Sequence, residues 1–185
     1  MKIMEKLAAI AISMVAAASS SGQSPGIDYV SKVFHDGAYV PHVYQEVDLL
    51  RRYGEGEKHL DEEGLIRRRY RDEVTGLEVT ITSNPDVASR FRTVDDIRVS
   101  SIAEAARAPK KAENLGNLSL KGVRIGDPFS QTLGPARRYG QIETSQTTIG
   151  KFKVERICAF SDGGSAICFY GRNNQVVAMA VGFGP

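Results

Sequence analysis

The chain has 185 residues, of which 24 are basic and 22 acidic, so it carries a formal net charge of only +2 at neutral pH. That balance excludes the strongly basic face through which nucleic-acid-binding proteins hold phosphates. With hydrophobic residues at 42% and only two cysteines, a chain of this length can bury one sizeable core or two small ones.

Lys2 and Lys6 stand against a lone Glu5, and an apolar run follows from Leu7 to Ala18, interrupted only by Ser13. Small residues then take over, from Ala16 to Gly22. This order predicts a secretory signal peptide over residues 1–18, with Ala16-x-Ala18 as the cleavage box. The run is shorter than the roughly 20 apolar residues of a membrane span, and no later segment is longer, so no span is expected after cleavage. No cysteine lies near the cleavage region to carry a lipid anchor. A periplasmic or secreted protein is expected, with a formal charge of +1 once residues 1–18 are removed.

Residues 19–46 mix apolar and aromatic positions without a strict period, and Pro41 breaks them. Residues 47–100 form an expected first αβ half. Val47 to Gly54 has helical spacing and a glycine stop. Glu55, Glu57, Asp61, Glu62 and Glu63 read as a solvated loop. Leu65 to Asp72 alternates, with Ile66, Arg68 and Tyr70 on one side and Arg67, Arg69 and Arg71 on the other. Leu77 to Thr82 and Val94 to Val99 complete the half as strands.

Residues 101–121 read as a linker, with Ala103 to Ala108 stopped by Pro109 and a polar Lys110 to Asn114 behind it. Residues 122–185 form the expected second half. A short helix runs from Pro128 to Gly134, capped near Asp127. Phe152 to Phe160, an Asp162-Gly163-Gly164 turn and Ser165 to Tyr170 form a hairpin, and Val176 to Phe183 a last strand. Arg137-Arg138-Tyr139-Gly140 repeats Arg51-Arg52-Tyr53-Gly54 at a distance of 86 residues. The expected fold is therefore α+β: a twisted antiparallel sheet from two pseudo-repeated helix–hairpin–strand halves, with short helices on one face.

Cys158 and Cys168 flank the hairpin turn symmetrically about Gly163, so they face each other across the strands. An oxidising compartment permits them to pair, which contributes about 2–3 kcal/mol through loop-closure entropy.

Lys121-Gly122-Val123-Arg124-Ile125-Gly126-Asp127-Pro128 followed by Leu133-Gly134-Pro135 resembles the Gly-x-x-x-Gly…Leu-Gly-x-Pro frame of small bacterial envelope modules. That frame occurs in outer-membrane assembly lipoproteins of the SmpA/OmlA type and in tandem-repeat β-lactamase inhibitor proteins. The likeness covers residues 120–183, with a fainter echo over 47–99. It implies a protein-binding role and, for the inhibitor type, a concave sheet built from two repeats. The chain departs from both groups: it has no lipoprotein cysteine, and one cysteine pair where the inhibitor type has a pair in each repeat. Its first half lacks the Gly-x-x-x-Gly element.

The inventory for chemistry is thin. His35, His42 and His59 fall in no metal-ligand spacing. No Gly-x-Ser-x-Gly elbow is present, and Gly54-x-Gly56 lacks the rest of a dinucleotide loop. No catalytic set, cofactor or metal is expected. Arg67, Arg69 and Arg71 project from one face of a strand at roughly 6–7 Å intervals, a spacing that suits a row of carboxylates on a partner protein. Together with Tyr70 they are the candidate binding residues. Glu78 and other cross-strand carboxylates offer the internal alternative, neutralising the row within the sheet. The expected function is a non-enzymatic, exported protein-binding module. Inhibition of, or immunity to, an envelope-acting enzyme or toxin is the first reading. An accessory of envelope assembly is the second, and a small histidine-based hydrolase or metal-dependent enzyme the third.

Overall fold

The computed structural model describes residues 28–35, 44–102, 110–111, 115 and 117–182. The expected signal peptide, His42 and the alanine-rich part of the expected linker lie outside these residues. In chain order the elements are α1 (Tyr29–Val33), α2 (Glu46–Tyr53), β1 (Glu57–Leu60), β2 (Ile66–Arg71), β3 (Glu78–Ser83), β4 (Asp96–Ser100) and β5 (Lys110–Lys111). A 3₁₀ turn (Phe129–Thr132), α3 (Leu133–Tyr139), β6 (Gln141–Ile149), β7 (Phe152–Phe160), β8 (Ala166–Arg172) and β9 (Gln175–Gly182) follow.

All the strands belong to one sheet, ordered β1-β2-β3-β4-β9-β8-β7-β6, with the two-residue β5 added parallel to β2. Apart from β5, every pairing is antiparallel. This corrects the expected α+β architecture of helix–hairpin–strand halves. The helices have only five, eight and seven residues, too short to form a layer of their own. Three segments not expected as strands join the sheet: β1, inside the acidic stretch read as a loop, β5, inside the expected linker, and β6, whose sequence is mostly Thr, Ser and Gln. The Gly134 stop is also corrected. The helix begins at Leu133 and ends at Tyr139 with Gly140 as its cap, and Pro135 sits in its first turn, where its missing N–H is not needed. Asp127 accepts from the Arg124 N–H rather than capping the helix.

Register divides the sheet into two faces. One carries Tyr70, Val79, Ile81, Ile97, Val99, Met179, Val181, Phe169, Ile167, Ile157 and Ala159. These join Leu49 of α2, Phe34, Phe129 and Ala136 in the main core. Leu115, Leu118 and Leu120, within the expected linker, are buried in that same core. A charged cluster is enclosed beside it: Glu46, 1% exposed, accepts from Arg68, Arg92 and Ser83.

The other face carries Arg67, Arg69, Thr80, Thr82, Asp96 and Arg98 at one end of the sheet. Ala178, Ala180, Cys168, Tyr170 and Cys158 follow toward the other. The Cys158–Cys168 disulfide forms across β7 and β8, at directly paired positions. Two-residue turns keep the hairpins tight: Gly150 supplies the positive φ at the β6–β7 turn, and Asn173 and Asn174 do so between β8 and β9.

Candidate functional site

The β6–β7 hairpin folds back over the second face. Its end residues Ile149, Val154 and Phe152 pack on Tyr170, Ala178 and Ala180, together with Ile102 and Cys168, as a small second core. Alanine at 178 and 180 leaves room for this, because a larger side chain at either position would occupy the space the hairpin fills. The consequence is geometric. Thr148 and Gly150 stand over β1, β2 and β4 and close a cleft of about 330 Å³, lined also by Glu57, His59, Arg67, Arg69 and Arg98. Residues from the two opposite edge strands of the sheet therefore share one site.

Within the cleft, register sets Glu57 opposite Arg69 and His59 opposite Arg67 on β1 and β2. Arg69 is 94% buried, at 6% exposure, and its Nη2 donates to Glu57 Oε1 at 2.6 Å. Arg67 Nε lies 2.9 Å from Asp61 Oδ2, an ion pair without hydrogen-bond alignment. Arg98 on β4 is placed across from Thr80 and hydrogen-bonds Tyr170. The N–H of Arg69 Nε, His59 Nδ1 and Glu57 Oε2 are buried and find no hydrogen-bond partner among the described residues. Such groups are costly to leave without a partner and are uncommon in folded proteins.

Titration follows from this packing. Burial, then the neighbouring guanidinium groups of Arg69 and Arg67, hold His59 below its ordinary range, so it is neutral at pH 7. Burial lifts Glu78, against the pull of Arg69, Arg98 and Arg71. Asp96, beside Arg98, is pushed up to about 6, again by burial. Glu57 and Asp61 of the β1 region pair with Arg69 and Arg67. Glu78, the cross-strand carboxylate expected beside the row, stands opposite Arg71 in register and also feels Arg69 and Arg98.

The candidate residues separate accordingly. Arg67 and Arg69 enter the cleft; Arg71 continues the same face toward β5 but does not line it. Tyr70 lies on the opposite face, fully buried, where its hydroxyl donates to the Gly54 carbonyl. The sequence does not single out Arg98; Glu57 reads there as part of a solvated loop, and His59 only as one of the histidines of the third, enzymatic reading. Period-two alternation on β4 carried the signal for Arg98. Nothing in the sequence marked the closing hairpin. His35 is exposed and lies away from the cleft lining, and among the described residues no three metal-ligating side chains cluster. No family model, curated protein or solved structure matches the chain.

Proposed function

We propose that the chain is an exported, non-enzymatic protein-binding module of the inhibitor or immunity type, and that the cleft receives an acidic side chain of its partner. The observation that carries this reading is the convergence of Arg67, Arg69 and Arg98 in one small cleft. A carboxylate presented by a partner meets the partly exposed Arg67 guanidinium at the cleft, and arginine's planar fork suits it. Neutral His59 adds a second polar contact without adding charge. The volume fits one side chain rather than a polymer. Export is supported by the basic, apolar and small-residue order of the first 22 residues. The Cys158–Cys168 disulfide is compatible with an oxidising compartment. No helix among the described residues is long and apolar enough to cross a membrane.

The test is affinity capture by the tagged chain from its own cell envelope, run beside an Arg67→Gln/Arg69→Gln variant of unchanged melting temperature. A stoichiometric partner that the variant loses, and whose activity falls when purified chain is added, is the expected result. Capture of a β-barrel or peptidoglycan-associated protein without any inhibited activity transfers the protein to envelope assembly. Equal capture by both forms removes the cleft from the interface, and no capture by either overturns the reading.

A further inference from the structure

The two edges of the sheet are built differently. On one side β1 is only four residues long, carries Glu57, Lys58 and His59, and runs into a turn tied by Asp61. Short length and charge of this kind are the usual protection of an edge strand. On the other side β6 runs for nine residues, Gln-Ile-Glu-Thr-Ser-Gln-Thr-Thr-Ile, without a proline, a lysine or a bulge. Six of the nine are exposed, and Glu143 is the single charge. Half of its backbone N–H and C=O groups point away from β7, as antiparallel geometry requires. Among the described residues, no hydrogen bond from outside β7 reaches the backbone of β6.

We propose that β6 is the seam of a two-fold dimer, in which a second copy of the chain adds its own β6 antiparallel to the first. The sequence of the strand is compatible with itself in that arrangement. A two-fold axis normal to the sheet pairs residues of the same face. In registers centred on Thr144 or Ser145, Glu143 therefore stands opposite Ser145 or Thr147 of the other copy and meets no like charge. The remaining opposed pairs are combinations of Thr, Ser, Gln and Ile, which form cross-strand hydrogen bonds or apolar contacts. Neither register uses residues of the arginine cleft other than Thr148 at the strand's end, so the seam stands or falls apart from the partner-binding reading.

Sedimentation equilibrium of the purified chain tests this, combined with amide hydrogen exchange. The wild type is expected to sediment at twice the chain mass at micromolar concentration, with outward amides between Gln141 and Thr147 protected. Thr144→Lys/Gln146→Lys sets lysines opposite each other in both registers and is expected to give a monomer, folded by circular dichroism, in which that protection is lost. Mixing it with Thr144→Glu/Gln146→Glu is expected to restore the dimer. A wild type that stays monomeric, or a dimer whose β6 amides exchange freely, overturns the proposal. A dimer that survives the lysine substitutions overturns it as well.

Discussion

Replacing Glu46 by glutamine keeps the side chain's shape but removes the charge that two guanidinium groups share inside the protein. Its Oε1 accepts from Arg68 Nε and Ser83 Oγ, both at 3.0 Å, and its Oε2 from Arg92 Nη1 at 2.9 Å. Burial alone disfavours the ionised form, yet the hydrogen bonds from Arg68, Arg92 and Ser83 outweigh it and hold Glu46 below the ordinary carboxylate range. Removing one member of a buried pair costs about 3–5 kcal/mol. Here Arg68 keeps Glu55, whose Oε2 lies 2.6 Å away, and Arg92 keeps the carbonyls of Pro85 and Val87. The loss belongs at the lower end, about 3 kcal/mol, or roughly 6–12 °C in melting temperature for a chain of this size. Because the folded pKa is depressed, the stabilisation is present above the unfolded value of 4.5 and is lost as pH falls through the folded one. The gap between wild type and Glu46→Gln is therefore expected to narrow in acid. Calorimetry at neutral pH and in acid measures both, and Glu46→Leu/Arg68→Met, which removes both charges, is expected to recover much of the loss. A fall of less than about 2 °C, or a gap that persists unchanged in acid, would refute the reasoning.

Other perturbations test the rest of the architecture. Asp96 has a folded pKa raised from 3.8 to about 6, so its contribution is fully present below the unfolded value and is lost as pH rises toward 6 and above. Asp96→Asn should flatten that limb of the stability–pH curve and raise stability at pH 7, as urea titration at several pH values will show. At Gly140 an added Cβ meets the Phe160 carbonyl oxygen at 1.8 Å, a backbone atom that cannot turn aside. Gly140→Ala should therefore cost roughly 1–3 kcal/mol or more, measured by thermal unfolding, and a neutral result would show that the junction of α3 with β7 is loose. The Cys158–Cys168 bridge spans ten residues. Its removal by Cys158→Ser/Cys168→Ser should cost about 2–3 kcal/mol, and a reductant should then have no further effect on the melting temperature.

The legible parts of the fold were those in which apolar residues alternate. Leu65 to Asp72 was assigned the correct two faces because Ile66 and Tyr70 alternate with arginines, and the pairing of the cysteines followed from their symmetry about the turn. The strand β6 left almost no such trace. It has Ile142 and Ile149, an odd number of positions apart and so on opposite faces, and its pairing with β7 supplies what its own hydrophobicity does not. In β1, Glu57 and His59 occur within a dense acidic run, and the run's polarity hid a strand whose Glu57 is matched by Arg69 across the ladder, with Asp61 just beyond it held by Arg67. Composition marks a carboxylate-rich segment as solvated only while its partners, on the next strand up to about a dozen residues on, are unknown.

Three consecutive arginines on β2 show how face decides role. Arg68 points into the protein, where Glu46 and Glu55 hold it, and it ties α2 to the sheet. Arg67 and Arg69, its neighbours on either side, turn toward the cleft and are held by Asp61 and Glu57. Ion pairing alone does not distinguish these positions, since all three arginines have carboxylate partners. The difference is closure. Arg68 lies beneath a helix, while the cover over Arg69 is a hairpin whose docking rests on the small side chains of Ala178 and Ala180. The cleft is thus specified from β9 as much as from the arginines themselves: a bulky residue at position 178 or 180 would lift the hairpin and open the site without touching any residue that lines it.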